Sequence, residues 1–162
     1  MPQTKGAPEI RFVRLPEIAL DEIAEHMSDP RVVEHMPLAT DVWDRSRCER
    51  FVTSKEDFWR RDGLGHWAIL CDGVYAGWGG LQKESGEWDF GLVLKPDHFG
   101  LGTRIARKVL AFARSDIRIP FVTFLLPLSR KHFRWLDRLG AECVGEVEYA
   151  GSIFRKYRLG TE

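Results

Sequence analysis

The sequence predicts one α/β domain with a mixed, mostly antiparallel sheet of about seven strands flanked by about four helices. Three observations carry this expectation. The chain has 162 residues, a length suited to one domain rather than two. Residues 66–94 hold three strand-like runs separated by Asp72-Gly73 and Ser85-Gly86, and such dipeptides mark tight hairpins. From residue 87 to 126 a strand, a loop, an amphipathic helix and a second strand follow one another. That is the order of a parallel, right-handed crossover.

Residues 1–8 read as a loose leader and 9–162 as the domain. Ile10 to Leu15 alternates apolar and basic residues, as a strand does. Pro16 opens a helix carrying Leu20, Ile23, Ala24 and Met27, and Asp29-Pro30 stops it. Thr40 or Asp41 is placed to cap a longer helix with the stripe Cys48, Phe51, Val52, Lys55, Phe58 and Trp59, ending at Asp62-Gly63. His66–Cys71, Val74–Gln82 and Glu87–Leu94 form the meander, and Gly91 inside the third strand signals a bulge or a close backbone approach. A loop after Pro96 leads to a helix from Thr103 to about Ser115, with Ile105, Ala106, Val109, Leu110, Phe112 and Ala113 on one face. Phe121–Leu126 reads as a strand buried on both sides. Ser129 caps a short helix closed by Gly140, and a hairpin around Ala150-Gly151 ends the chain.

Composition narrows the function classes. Apolar residues make up 44% and charged residues 30%, with 10 Phe, 6 Trp and 3 Tyr, which excludes a mainly disordered chain. Basic and acidic residues balance at 24 each, so no nucleic-acid partner is expected. No apolar run approaches the ~20 residues of a membrane helix, so no membrane partner is expected either. Met1–Pro8 has one Lys and no apolar core, unlike a secretory signal. Cys48, Cys71 and Cys143 are scattered, without a CxxC pair, so reduced thiols, a cytoplasmic location and no metal are expected. His26, His35, His66 and His98 show no metal-like pairing and read as structural or surface histidines.

The informative chemistry lies in Gly100-Leu101-Gly102-Thr103, which opens a helix directly after a strand and a short loop. Amides at a helix start lack intrahelical partners, and the helix dipole places positive potential behind them. Glycines let a phosphate approach the backbone closely. No GKS or GKT follows, so this is not a Walker loop, and no third glycine makes it a dinucleotide fingerprint. A tight strand-to-helix turn is the plainer alternative for an isolated GxG.

The run LVLKPDHFGLGTRIARKVLAFA, residues 92–113, resembles the acetyl-CoA-binding segment of the GNAT (Gcn5-related) N-acetyltransferases. More narrowly, the chain resembles the branch that acetylates ribosomal-protein N-termini. IRFVRL with MSDPRVVEHMP resembles that branch's opening, and WAILCDGVYAGWGGLQ its central hairpin. LSRKHFRWLDRLGAECVGEVEYAGSIFRKYRL resembles its ending, so the likeness spans residues 9–159.

The resemblance implies a GNAT-like domain whose central strands, 87–94 and 121–126, splay apart to admit acetyl-CoA. It implies that Leu92, Val93 and Leu94 pair with the pantetheine arm. Phe99, Gly100, Leu101, Gly102 and Thr103 would hold the pyrophosphate. Separately, Arg104, Arg107 and Lys108 are candidates for touching the 3′-phosphate of coenzyme A, with a solvated helix face as the commoner alternative. The family's Asn and Ser on the next helix fall on Ser129 and His132, and the Tyr that many members use as an acid falls on Leu136. The family loop often begins with Gln or Arg, where this chain has Asp97. Dimers are common in the family, so a homodimer is compatible with the resemblance.

Direct transfer from a thioester to an amine needs a base for the amine, donors for the tetrahedral oxyanion and a proton for the thiolate. The backbone N–H near Gly91 or Leu92 is placed to donate to the oxyanion. Asp89, where family members often carry Glu, is a candidate base; a surface carboxylate on an alternating strand is the alternative. Glu148 resembles the base of the ribosomal branch, with a solvated hairpin edge as its alternative. His132 is a candidate acid near neutral pKa, against an exposed helix histidine. Trp43 or Trp59 could line an acceptor pocket. The leading expectation is an acetyl-CoA-dependent N-acetyltransferase acting on a primary amine, a protein N-terminus or a small molecule. The alternatives are a non-catalytic acyl-CoA-binding or sensing domain and, behind it, a nucleotide-binding module.

Overall fold

The computed structural model describes residues 6–34, 36, 42–128 and 134–161. Seven strands form one sheet: β1 (Ile10–Val13), β2 (His66–Cys71), β3 (Val74–Glu84), β4 (Glu87–Leu94), β5 (Phe121–Pro127), β6 (Glu142–Tyr149) and β7 (Ser152–Gly160). Their order is β1-β2-β3-β4-β5-β7-β6. β4 and β5 pair in parallel, and every other neighbouring pair is antiparallel. The α4 crossover joins that parallel pair, as the residue 87–126 pattern predicts.

Five α-helices are described: α1 (Leu20–Ser28), α2 (Pro30–Val33), α3 (Arg45–Asp62), α4 (Gly102–Arg114) and α5 (Arg134–Leu139). The additional one, α2, begins where Asp29-Pro30 ends α1. The Asp29 side chain accepts from the Arg31 N–H, and Pro30 opens the next turn, so the same dipeptide both stops and starts a helix. The cap of α3 is Asp44, which accepts from the Arg47 N–H at 2.7 Å. Thr40 and Asp41 lie outside the described residues, as do Ser129 and His132. The segment after Pro96 is a 3-10 turn, Pro96–Leu101, running directly into α4.

The two faces of the sheet are covered differently. Trp67, Ile69, Leu81 and Leu94 pack with Ile105, Val109, Leu110 and Ala113 of α4. On the other face Ala68, Tyr75 and Trp78 pack with Ile23 and Met27 of α1 and Cys48 of α3. The period-two alternation of the strands thus feeds two separate cores.

β5 departs from its expectation. Val122–Phe124 are buried, but Leu125–Pro127 are only half-buried. The apolar run is continuous because its last residues face an open cleft rather than a second packed layer. Gly91 is resolved in favour of close approach. The β3–β4 register runs without a shift from Gly77↔Leu94 to Glu84↔Glu87, so no bulge interrupts that ladder. Instead β3 lies tight against β4: a Cβ on Gly79 would stand 2.3 Å from the Gly91 carbonyl oxygen.

Candidate active site

β4 and β5 pair over three positions, Trp88↔Val122, Asp89↔Thr123 and Phe90↔Phe124. Beyond them each strand follows its outer neighbour: β4 stays with β3 to Leu94, and β5 stays with β7 to Pro127. The ladder opens into a cleft of about 480 Å³. Phe90–Leu94 form one wall and Phe124–Pro127 the other, with Trp135 between them and Val32 and Met36 at its side. Phe99, Gly100, Gly102 and Thr103 stand at its mouth. Main-chain groups of two diverging strands are exposed in an otherwise apolar slot, which suits an extended amide-bearing chain.

The mouth glycines separate the two readings of the GxG. Neither Gly100 nor Gly102 has positive φ, and Gly102 lies at φ −53 and ψ −48, inside the helical region. A Cβ on Gly100 would meet nothing within 4 Å, and one on Gly102 only Leu92 Cδ2 at 4.0 Å. Neither turn geometry nor internal packing asks for glycine here. The absence of side chains on Gly100 and Gly102 leaves the backbone open from outside. The start of α4 also has no side-chain cap: Leu101 occupies the cap position without a side-chain hydrogen bond. That end of the helix favours an anion.

Asp89 sits on β4 two residues before Gly91, at the last paired stretch. Its Oδ1 accepts a 2.8 Å hydrogen bond from the buried Thr123 hydroxyl across the parallel ladder. Burial pushes its pKa up to about 7; the Thr123 bond opposes this, while Glu84 and Glu87 reinforce it and Lys156 opposes it. Lys156 is itself ion-paired with Glu87. A carboxylate that changes charge near neutrality is matched to accepting an amine proton.

A second polar group lies behind Gly91. Lys55 of α3 reaches through the core to His66 Nδ1 at 3.0 Å and to Gln82 Oε1 at 3.0 Å. Gln82 passes the contact on, donating to Glu84 Oε1 at 2.6 Å. The Lys55 ammonium also lies over the Trp78 ring at 4.9 Å, a favourable cation–π contact. Burial brings Lys55 down to about 8, opposed by the charge of Glu84. Burial and then the Lys55 charge push His66 well below the usual imidazole value, so its ring is neutral. An ammonium has no lone pair to offer, so beside charged Lys55 the imidazole accepts at Nδ1 and carries its proton on Nε2. That Nε2 is buried and has no partner among the described residues. An unmade buried donor costs about 1–3 kcal/mol.

The expected site residues divide in three. Leu92, Val93, Leu94, Phe99, Gly100, Gly102 and Thr103 line the cleft. Leu101 does not, because it turns into the α4-side core. Arg104 is exposed on α4 away from the lining, and Lys108 donates to the Ile10 carbonyl at 3.0 Å. Neither Asp89, which stands beside the lining residue Phe90, nor Glu148, exposed on the edge strand β6, lines the cleft, and burial with the nearby Glu84 and Asp89 raises the pKa of Tyr149. Leu136, at the family's Tyr position, is fully buried.

Neither Trp43 nor Trp59 lines the β4–β5 cleft. Trp43 is buried in the α1–α3 core, and Trp59 donates to the His66 carbonyl at 2.9 Å. Trp135 lines the cleft instead. Lys55 and His66 were not among the expected site residues. Their one sequence signal is a lysine within the apolar stripe of α3. Among the described residues no cluster of three potential metal ligands occurs and no helix is long and apolar enough to cross a membrane.

The family model for the acetyltransferase (GNAT) domain matches residues 10–142. No curated protein matches the sequence. Solved structures share the fold. One from Bordetella pertussis, assigned to the GNAT family of acetyltransferases, superposes with a TM-score of 0.75 at 15% identity, covering 97% of this chain and 98% of the other. The aminoglycoside acetyltransferase AAC(6′)-Ib in complex with coenzyme A gives 0.72 at 15% identity, covering 95% of each chain. An acetyltransferase from Agrobacterium tumefaciens gives 0.71 at 17% identity, covering 98% and 94%.

Proposed function

Because the chain belongs to the GNAT acetyltransferase family, we propose that it transfers an acetyl group directly from acetyl-CoA to a primary amine. One observation carries the cosubstrate: Gly100 and Gly102 leave open space at the mouth of the β4–β5 cleft that neither backbone conformation nor packing requires. The pyrophosphate lies against these glycines and the uncapped start of α4. The pantetheine arm follows the free edge of β4 along Leu92–Leu94, which brings the thioester to Gly91.

Asp89 is the base. The amine arrives as an ammonium and gives a proton to the Asp89 carboxylate, directly or through water. The free amine attacks the thioester carbon, and the N–H of Leu92, on the edge opposite the Gly91 carbonyl that faces β3, receives the oxyanion. The oxyanion re-forms the carbonyl as the C–S bond breaks, and the leaving thiolate takes up the second proton of the attacking nitrogen, directly or through water, so that a neutral amide and free CoA result while Asp89 returns its proton to solvent. A thioester is already activated, so no covalent enzyme intermediate is needed. Glu148 is the weaker candidate because it is exposed on an edge strand. The position of Asp89 weighs against a domain that only binds acyl-CoA.

The acceptor is a peptide N-terminus by the sequence likeness to the ribosomal branch. An aminoglycoside is the second candidate, since a fold relative is an aminoglycoside acetyltransferase. Calorimetry with acetyl-CoA, CoA and ATP tests the cosubstrate: the first two bind, ATP stays silent, and absence of acetyl-CoA binding overturns the reading. Turnover with an N-terminal peptide, spermidine and kanamycin then assigns the acceptor. With whichever amine is active, Asp89→Asn lowers kcat by about 100-fold or more and leaves acetyl-CoA affinity within threefold. Full activity in that variant removes Asp89 as the base.

A further inference from the structure

Three features meet at one step of β4. His66 holds an unpartnered, buried Nε2. Lys55 is donated onto the other ring nitrogen. Gly91 is the first β4 residue past the last β4–β5 pair and lines the cleft. The ring and the glycine are fitted to each other: a Cβ on Gly91 would lie 3.2 Å from His66 Cε1 and 3.3 Å from Nε2. The φ of Gly91 is not positive, so His66, not backbone conformation, is what crowds a side chain there. The registers explain the reach. His66 pairs with Gly80 on β3, and Gly80 pairs with Gly91 on β4, so the imidazole crosses a glycine to touch a glycine. A half-buried lysine offered one imidazole and one amide gives up hydration that an apolar residue would not need. What the pair adds is a fixed positive potential behind a single backbone unit.

Resting on the acetyltransferase reading, we propose that Lys55 and His66 are positioning residues for acetyl transfer. Lys55 fixes the imidazole as its Nε2–H tautomer, and together they polarise the Gly91 step of β4 towards the thioester carbonyl. Neither touches the substrate. Both act through the β4 backbone, whose N–H groups become better donors when positive potential stands behind them. The effect is preorganised, because α3, β2 and β3 hold its parts before any ligand arrives.

The surroundings set its pH dependence. Lys55 faces His66 from β2, Gln82 and Trp78 from β3, the field of Glu84, and Phe51 and Phe58 on its own helix. His66 faces Lys55, the Trp78 ring at 5.5 Å and Gly91. Asp89 pairs with Gln82 across the β3–β4 ladder, with Glu84, Glu87, Lys156 and Tyr149 around it. Lys55 is charged below about pH 8 and neutral above it. The polarisation is therefore present at neutral pH and fades as pH rises through that value.

Isotope-edited infrared spectroscopy of bound [1-13C]acetyl-CoA reads this without any acceptor. The carbonyl stretch moves to lower frequency on binding the wild-type protein. His66→Phe and Lys55→Met lose at least half of that displacement, with acetyl-CoA affinity within threefold. His66→Gln, which keeps a side-chain N–H, retains most of it. In the wild type the displacement shrinks above pH 8; in Lys55→Met it is flat. The 15N shifts of His66 in the ligand-free protein show Nε2–H at pH 7. Circular dichroism establishes that each variant is folded, and Lys55→Met with His66→Gln decide if His66→Phe is not. The same band in wild type and Lys55→Met, or an Nδ1–H tautomer at pH 7, overturns the proposal alone. A wild-type protein that binds no acetyl-CoA removes the underlying reading, and this one with it.

Discussion

The two ends of the cleft are made of different materials. At the mouth a ligand would meet backbone, namely two glycines, the start of α4 and the free edge of β4, and the cleft lining holds no charged side chain. Beside the point where the strands converge, outside the lining, stand three ionisable side chains: half-buried Asp89 on β4, buried His66 on β2 and half-buried Lys55 on α3. Backbone grips a ligand without titrating, so binding at the mouth is insensitive to pH near neutrality. Asp89 and Lys55 change charge close to pH 7–8, so under the proposed mechanism the chemistry would be sensitive to pH where binding is not. On that mechanism affinity and rate would fall to groups that can be altered separately.

The largest expected effect breaks the mouth. Gly102→Val puts a branched side chain into the open space over the helix start. Its Cβ has only Leu92 Cδ2 in ordinary contact at 4.0 Å, so the fold survives. Calorimetry is expected to show acetyl-CoA affinity lower by at least 100-fold with an unchanged far-ultraviolet spectrum. Unchanged affinity would take the glycine loop out of the site.

A smaller effect sharpens the inner end. The Thr123 hydroxyl bond favours ionised Asp89 and holds its pKa down against burial. Thr123→Val removes that donor, so the pKa rises above about 7. The base works only when deprotonated. The rising limb of the kcat–pH profile therefore moves to higher pH, while the plateau above it and the affinity for acetyl-CoA stay within twofold. A limb that stays in place would separate Thr123 from Asp89.

The smallest effect is expected at Glu148→Gln. An exposed edge-strand carboxylate changes kcat by less than threefold in an activity assay. A loss as large as that of Asp89→Asn would transfer the base role to it.

The same contrast explains what could be read in advance. The meander, the crossover and the mouth were legible because each is local: Asp72-Gly73 turns a hairpin, and Gly100 and Gly102 stand within one short loop. α2 was hidden because Asp29-Pro30 is equally good at ending and beginning a helix. Trp135 was hidden because tertiary packing decides which aromatic residue faces a gap. The Lys55–His66 contact joins residues of two different elements, and its connection to Gly91 exists only through strand registers. No periodicity encodes it, so a lone histidine reads as a bystander until the sheet is assembled.

The shortness of the β4–β5 ladder has a mechanical consequence. The sheet consists of two leaves, β1–β4 and β5–β7–β6, bound along a spine only three residue pairs long. A molecule lying in the gap and bonding to β4 does the job of a missing strand, stitching the leaves together past the spine. Acetyl-CoA would then be a temporary structural member as well as a reagent. Deuterium uptake at the β4 amides after Phe90 that face the gap should slow when it is bound and recover when it leaves.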